Sequence, residues 1–182
     1  MKKKFKLEDL DCANCAAKME EAINAQINAE FWSAYLYLSM SCDFARKGLK
    51  GMANWFSIQF REEQDHARML MDHVLARGGK VALAPIAEVP SAWDSPLAAF
   101  EDTLKHEKSV TARINALCEL AAAEKDFASA NRLVWFIDEQ IEEEENVQGI
   151  IDALKLVGDD KVGTFMLDKE LGARTSTPAP GK

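Results

Sequence analysis

Strand signals are nearly absent from this chain. Few β-branched residues alternate with polar ones, and Ala, Leu, Glu, Lys and Met, which favour helix, are common. Proline is scarce and confined: all five lie at 85, 90, 96, 178 and 180, so long stretches carry no helix breaker. No apolar run approaches the roughly 18 residues that cross a bilayer, which excludes a membrane span. The start, Met1-Lys2-Lys3-Lys4-Phe5-Lys6-Leu7, is basic like the beginning of an export signal. It lacks the apolar segment and turns acidic at Glu8 and Asp9, so a cytoplasmic location is expected. The overall charge balance is acidic. The net charge is −8 and the sequence pI about 5.0, which argues against a nucleic-acid partner. An acidic surface serves ordinary solubility and also attracts cations.

What is present suits one domain with one sizeable core: 182 residues, 48% hydrophobic and 29% charged. Cysteine is sparse for a disulfide scaffold of this length. Cys42 and Cys118 fall in helical patterns and are expected to be small buried apolar residues. Cys12 and Cys15 form a C-x-x-C pair.

The periodicity predicts helix A from about Ala16 to Ala45, with Ile23, Ile27, Phe31, Ala34, Tyr35 and Leu38 forming an apolar stripe. A turn at 46–51 leads into helix B, about Met52 to Arg77, which ends at Gly78-Gly79. A linker with Pro85 and Pro90 follows. Ser95 is the expected N-cap of helix C and Pro96 its first residue, with the end near Ala123 or Glu124. Helix D covers about Ala128 to Val157, with Gly149 as a weak point inside it, and Gly158 ends it. A short helix E spans about Lys161 to Leu171. The expected division is an N-terminal extension 1–15, a bundle 16–172 and a disordered tail 173–182. Short A–B and C–D connections make those pairs antiparallel. The B–C connection, roughly 17 residues, can run the full length of a bundle helix when extended. The predicted fold is all-α: a four-helix bundle with one long crossover, which is the ferritin-like arrangement.

Glu63 and His66 lie three apart on helix B, so both can face one metal ion. Gln140 and Glu143 repeat that spacing on helix D. Helix A offers Glu30 among apolar neighbours, and helix C offers Glu107. Each of the four helices then supplies one inward carboxylate, which is how a di-iron carboxylate site is built in a bundle core. Two Fe(II) ions carry +4 and four ionised glutamates −4, so the loaded cluster is nearly neutral, whereas the bare one repels and takes up protons. Oxygen-rich ligands with a single imidazole suit iron or manganese. A lone Glu-x-x-His is more often plain surface or core, and the run Glu142 to Glu145 alone reads as a solvated face. The set of Glu30, Glu63, His66, Glu107 and Glu143, at matching depth on four helices, outweighs those readings.

The segment Asn24-Ala25-Gln26-Ile27-Asn28-Ala29-Glu30-Phe31-Trp32-Ser33-Ala34-Tyr35-Leu36-Tyr37 resembles the first helix of bacterial non-haem ferritins. Arg61-Glu62-Glu63-Gln64-Asp65-His66-Ala67 resembles their second-helix motif. Lys105-His106-Glu107 and Trp135-Phe136-Ile137-Asp138-Glu139-Gln140-Ile141-Glu142-Glu143-Glu144 resemble the third and fourth. The similarity spans about Ala16 to Leu171. It implies that Glu30, Glu63 and His66 hold one iron, and that Glu63 bridges to a second held by Glu107 and Glu143 with Gln140 nearby. It implies a third iron site of Glu62, Glu139 and Glu142. Tyr37 would hydrogen-bond near the metals or supply an electron, and Trp135 would pack there or supply one as well. The implied activity is ferroxidase: two Fe(II) are oxidised by O2 or H2O2, and the Fe(III) is stored as mineral in a homo-oligomeric shell of 24 subunits. Glu124 and Asp126 are pore candidates, because family pores lie near the C–D turn.

Relatives within the fold are distinguished by single residues. Bacterioferritins and di-iron oxygenases carry Glu-x-x-His on both the second and fourth helices, and bacterioferritins bind haem through a methionine beside the bridging glutamate. Here the fourth helix has Gln140-x-x-Glu143 and Gln64 follows Glu63, so no haem is expected. The chain departs from ferritins before about Ala16. Lys4 to Ile23 resembles the first strand, C-x-x-C loop and helix start of heavy-metal-associated domains, which bind soft ions such as Cu(I), Zn(II) or Cd(II). Further strands of such a domain are lacking. Cys12 and Cys15 are thus either soft-metal ligands or two thiols on a flexible arm. The alternative function is a metal-sequestering shell with a weak ferroxidase centre and soft-metal binding by that arm.

Overall fold

The computed structural model describes residues 8–176, with side chains from Ala16 onward. Five helices follow one another: α1 Glu8–Arg46, α2 Lys50–Ala76, α3 Pro96–Ala123, α4 Phe127–Val157 and α5 Lys161–Leu171. No strand occurs among the described residues. α1 packs along α2 and α3 along α4, and α5 leans on α2 and α4. This is the ferritin-like four-helix bundle with a short fifth helix.

The punctuation follows local chemistry. Gly48 takes φ +83°, and Leu49 N–H reaches back to Phe44 O at 3.0 Å, closing α1. Ser95 Oγ accepts from Ala98 N–H at 3.1 Å and Pro96 opens α3, as the sequence predicts. The α3–α4 turn is tighter than expected. Lys125 adopts φ +53°, Asp126 caps α4 by accepting from Ser129 N–H at 3.1 Å, and Phe127 already begins the helix.

Two expectations change at the ends of the chain. α1 starts at Glu8 rather than near Ala16, so the backbone of Cys12 and Cys15 is helical rather than a loop ahead of a helix. Residues 8–15 contain neither glycine nor proline, and nothing in that stretch interrupts the helix. The side chains of Cys12 and Cys15, and residues 177–182 of the expected tail, lie outside the described residues. At the other end Arg174, inside that expected tail, is anchored: Asn54 Nδ2 donates to its carbonyl at 3.1 Å and its guanidinium lies over Trp55 at 4.9 Å.

Smaller corrections concern α1 and α3. Tyr35 is exposed, and the buried positions are Leu36 and Tyr37, because the stripe passes through Ala34 and Tyr37 at three-residue spacing. Cys42 is exposed beside the buried pair Asp43 and Phe44, and Cys118 is only half-buried.

The crossover 77–95 lies along α1 and is held by its side chains. Asn24 exchanges two hydrogen bonds with it, to Lys80 O (2.9 Å) and from Ala82 N–H (2.7 Å). Asn28, one turn on, does the same with Ala82 O (2.9 Å) and Ala84 N–H (2.7 Å). Near the far end buried Asp43 accepts from Trp93 N–H at 3.2 Å and pairs with Lys47 and Arg46. Those cations outweigh the burial that would raise it and hold its carboxyl at about 2.

The interior is two apolar clusters. One gathers Met40, Phe44, Met52, Phe56, Phe100 and Ile151, the other Ile23, Ile27, Leu70, Ile114, Leu133 and Phe136. On all four long helices the residues between the two sets in sequence include a buried polar group: Glu30, Glu63 with His66, Glu107, and Gln140 with Glu143.

Candidate metal centre

Each helix brings its polar residue to this layer because the neighbours one turn away are apolar and fix the face that turns inward. Ile27 and Ala34 flank Glu30 on α1, and Ala67 and Leu70 follow His66 on α2. Glu30, Glu63 and His66 bring one ligand atom each to within 4.8 Å of one another, all three buried. His66 Nδ1 faces Glu63 Oε2 at 3.5 Å, and its Nε2 faces Glu139 Oε1 at 3.6 Å. Across the layer, Tyr37 donates its hydroxyl to Glu107 Oε1, while Gln140 Nε2 donates to Glu107 Oε2 at 3.2 Å. Glu143 Oε2 accepts from Gln59 Nε2 at 2.9 Å.

The electrostatics are those of a carboxylate cluster short of positive charge. Burial, then the neighbouring Glu63, pushes Glu30 well above its usual range. Burial raises Glu63 as well. Burial brings Glu107 to about 7 despite the donors Tyr37 and Gln140. Burial and then Glu107 lift Glu143 well above its usual range. Burial by itself would lower His66, but the carboxylates of Glu139 and Glu63 overcome it and raise the imidazole. Two oxygens, Glu30 Oε2 and Glu63 Oε2, are buried and make no hydrogen bond, the second having His66 Nδ1 beside it at 3.5 Å. Unpartnered buried acceptors of this kind are costly, and a cation between them removes the cost.

Known proteins resemble the chain over most of its length. The ferritin-like domain family matches residues 20–157. The chain belongs to the ferritin-like family. A bacterial non-heme ferritin of Bacteroides fragilis is 45% identical over 157 residues, covering 86% of this chain and 98% of that protein. One of Staphylococcus aureus is 36% identical over 155 residues, covering 85% and 93%. Among solved structures, an open-pore ferritin from the archaeon Archaeoglobus fulgidus aligns with TM-score 0.86 at 52% identity, covering 87% of this chain and 98% of that one. A structure described as a humanized archaeal ferritin aligns with TM-score 0.88 at 51% identity, covering 88% and 98%.

Within this ferritin chain the remaining candidates fall into place unevenly. Trp135 packs edge-on to His66, ring centroids 5.4 Å apart. Glu139 reaches His66, but Glu142 is exposed and Glu62 is engaged by Arg174 Nη2 at 2.8 Å. Among the described residues, Glu62, Glu139 and Glu142 do not close into a three-ligand group as Glu30, Glu63 and His66 do. Glu124 and Asp126, the pore candidates, meet Lys18 (2.8 Å) and Arg77 (2.5 Å) within the chain.

Four contributors escaped the sequence reading. Gln26 donates to Glu30 Oε1 at 2.9 Å, and buried Gln59 holds Glu143. Each lies four residues before a carboxylate of the cluster, a spacing that puts it on the same helix face and gives a usable signal. His106 packs edge-on to Tyr37 and pairs with Ser33 Oγ at 2.8 Å, and burial draws it down to about 4, so it is neutral there. Its only sequence signal was adjacency to Glu107. Arg174 lies far from every motif, and nothing local announced it.

Proposed function

We propose that the protein is an iron-storing ferroxidase. The observation that carries this reading is the pair of buried oxygens on Glu30 and Glu63 that make no hydrogen bond, within a cluster of four glutamates and one histidine. Fe(II) is the substrate. Glu30, Glu63 and His66 would hold one ion, and Glu63 would share a second with Glu107 and Glu143, with Gln140 beside it. Anionic oxygen donors in a site of low dielectric favour the more highly charged ion, so the cluster favours Fe(III) over Fe(II). With O2 as oxidant, two Fe(II) give up one electron each, and O2 with two protons becomes H2O2. H2O2 taken as oxidant instead is reduced to two waters.

The chain's own groups support that chemistry. Tyr37 steadies Glu107, Gln59 steadies Glu143 and Gln26 steadies Glu30, so the ligands are positioned before metal arrives. Tyr37 and Trp135 stand close enough to the cluster to supply an electron. No described helix is long and apolar enough to cross a membrane. A cytoplasmic homo-oligomeric shell of 24 subunits without haem completes the reading. Exposed apolar side chains at Leu156, Val162, Phe165 and Met166 offer surface for subunit packing. The alternative, a sequestering shell whose arm traps soft metals through Cys12 and Cys15, is less favoured because all five main ligands are buried in one layer.

Stopped-flow oxidation of Fe(II) tests the proposal. Glu63→Ala should abolish rapid oxidation, while Cys12→Ser/Cys15→Ser should leave it near the parent rate. Loss of oxidation in the double Cys variant, with retention in Glu63→Ala, would overturn the ferroxidase assignment.

A further inference from the structure

A permanent cation already sits on one carboxylate of the expected third iron site. Arg174, three residues beyond α5, turns its guanidinium back onto α2. Its Nη2 meets Glu62 Oε2 at 2.8 Å, its Nη1 donates to Gln59 Oε1, and its plane covers Trp55 at 4.9 Å. The contact is sheltered, with side-chain exposures of 24% for Arg174 and 14% for Glu62. A guanidinium does not lose its proton near neutral pH, so this charge cannot be titrated away. The same group fixes Gln59. Because the amide oxygen faces Arg174, the amide NH2 is turned to Glu143 Oε2, at 2.9 Å.

We propose that Arg174 is an internal competitor for metal at the third site, so that an ion can settle on Glu62 only by displacing the C-terminal segment from α2. This rests on the reading of Glu62, Glu139 and Glu142 as that site. Two independent features point the same way. The three carboxylates do not close into a ligand group among the described residues, and Glu62 is already paired with Arg174 at 2.8 Å. Furthermore Asn54 pins the Arg174 carbonyl at 3.1 Å, so the guanidinium is delivered by an anchored backbone. Arg174 is a positioning residue in this scheme. It sets when the third site opens, and through Gln59 it keeps a donor on Glu143.

Anaerobic calorimetric titration of the metal-free assembled protein with Co(II), a redox-inert probe, tests the proposal. Co(II) absorption spectra recorded in parallel count the occupied sites. The parent protein should take up two equivalents per chain with a weak third. Arg174→Ala should tighten the third at least tenfold, and Arg174→Lys, which keeps the charge, should tighten it less. Adding Glu62→Gln to Arg174→Ala should remove the gain. An unchanged third equivalent in Arg174→Ala, or a gain that survives Glu62→Gln, overturns the proposal. Failure of the ferroxidase reading shows elsewhere in the same data, as a first pair of equivalents that is missing or that Glu63→Ala leaves intact.

Discussion

Glu30 shows how one side chain couples folding to charge. Its Oε1 is satisfied by Gln26, while its Oε2 lies buried against Glu63 with no donor. Glu30→Gln replaces that oxygen by an NH2 able to donate to Glu63 and removes one of the mutually repelling carboxylates. The metal-free variant should be more stable than the parent near neutral pH, by about 1–3 kcal/mol. Below the ordinary carboxylate range the two should converge, since the carboxyls of both clusters are then protonated. Thermal unfolding at the two pH values reads this, and rapid Fe(II) oxidation should be lost in the same variant. That Glu63 and His66 turn inward was legible in the sequence, because a carboxylate three residues from a histidine, set among apolar neighbours, is an unusual thing to bury. Gln26 and Gln59 had only their i, i+4 spacing to Glu30 and Glu63 as a signal, since an uncharged amide on an amphipathic helix does not stand out by itself.

At the scale of elements, the α2–α5 crossing depends on one glycine. A Cβ at Gly51 would stand 1.5 Å from the carbonyl oxygen of Asp168 and 2.9 Å from the Gly172 nitrogen, both backbone atoms that cannot swing aside. Asp168 also caps α2, accepting from Met52 N–H at 2.8 Å. Gly51→Ala should therefore push α5 off α2 and cost about 2 kcal/mol, read as a lower midpoint in urea unfolding. Arg174 follows α5, so the variant should also loosen its hold on Glu62. Helix ends with a cap in the sequence, such as Ser95-Pro96, were legible. The start of α1 was not, because Ala16 marks where the ferritin resemblance begins, whereas the backbone continues in helix wherever no residue interrupts it.

For the whole molecule, the polar layer sets how stability depends on pH. Glu107 rises from 4.5 to about 7 on folding, so the stability it contributes is complete below 4.5 and is lost as pH climbs through about 7. On its own that swing is on the order of 3 kcal/mol. His66, also raised, has the same sign: its contribution is complete below 6.5 and is lost as pH rises through its folded value. Asp43 runs the other way, its contribution present above 3.8 and lost as pH falls through about 2. The metal-free protein should then lose stability as pH rises from about 4.5 through about 7, whereas Co(II)-loaded protein should not, and the gap between their unfolding temperatures should widen across that window. Protons released on Co(II) binding, measured in buffers of different ionisation heat, should appear in the same window. A gap independent of pH would mean that the cluster is already ionised without metal.

The sequence by itself determined the helices, their order, the long crossover and the one-carboxylate-per-helix pattern, because 3.6-residue periodicity, glycine and proline punctuation and capping are local properties. The tertiary structure decided what joins distant residues. Asn24 and Asn28 hold the crossover, Gln59 on α2 steadies Glu143 on α4, and Arg174 returns from the end of α5 to claim Glu62. These partners are set by how the helices cross in space, and that geometry leaves no periodic trace in the chain.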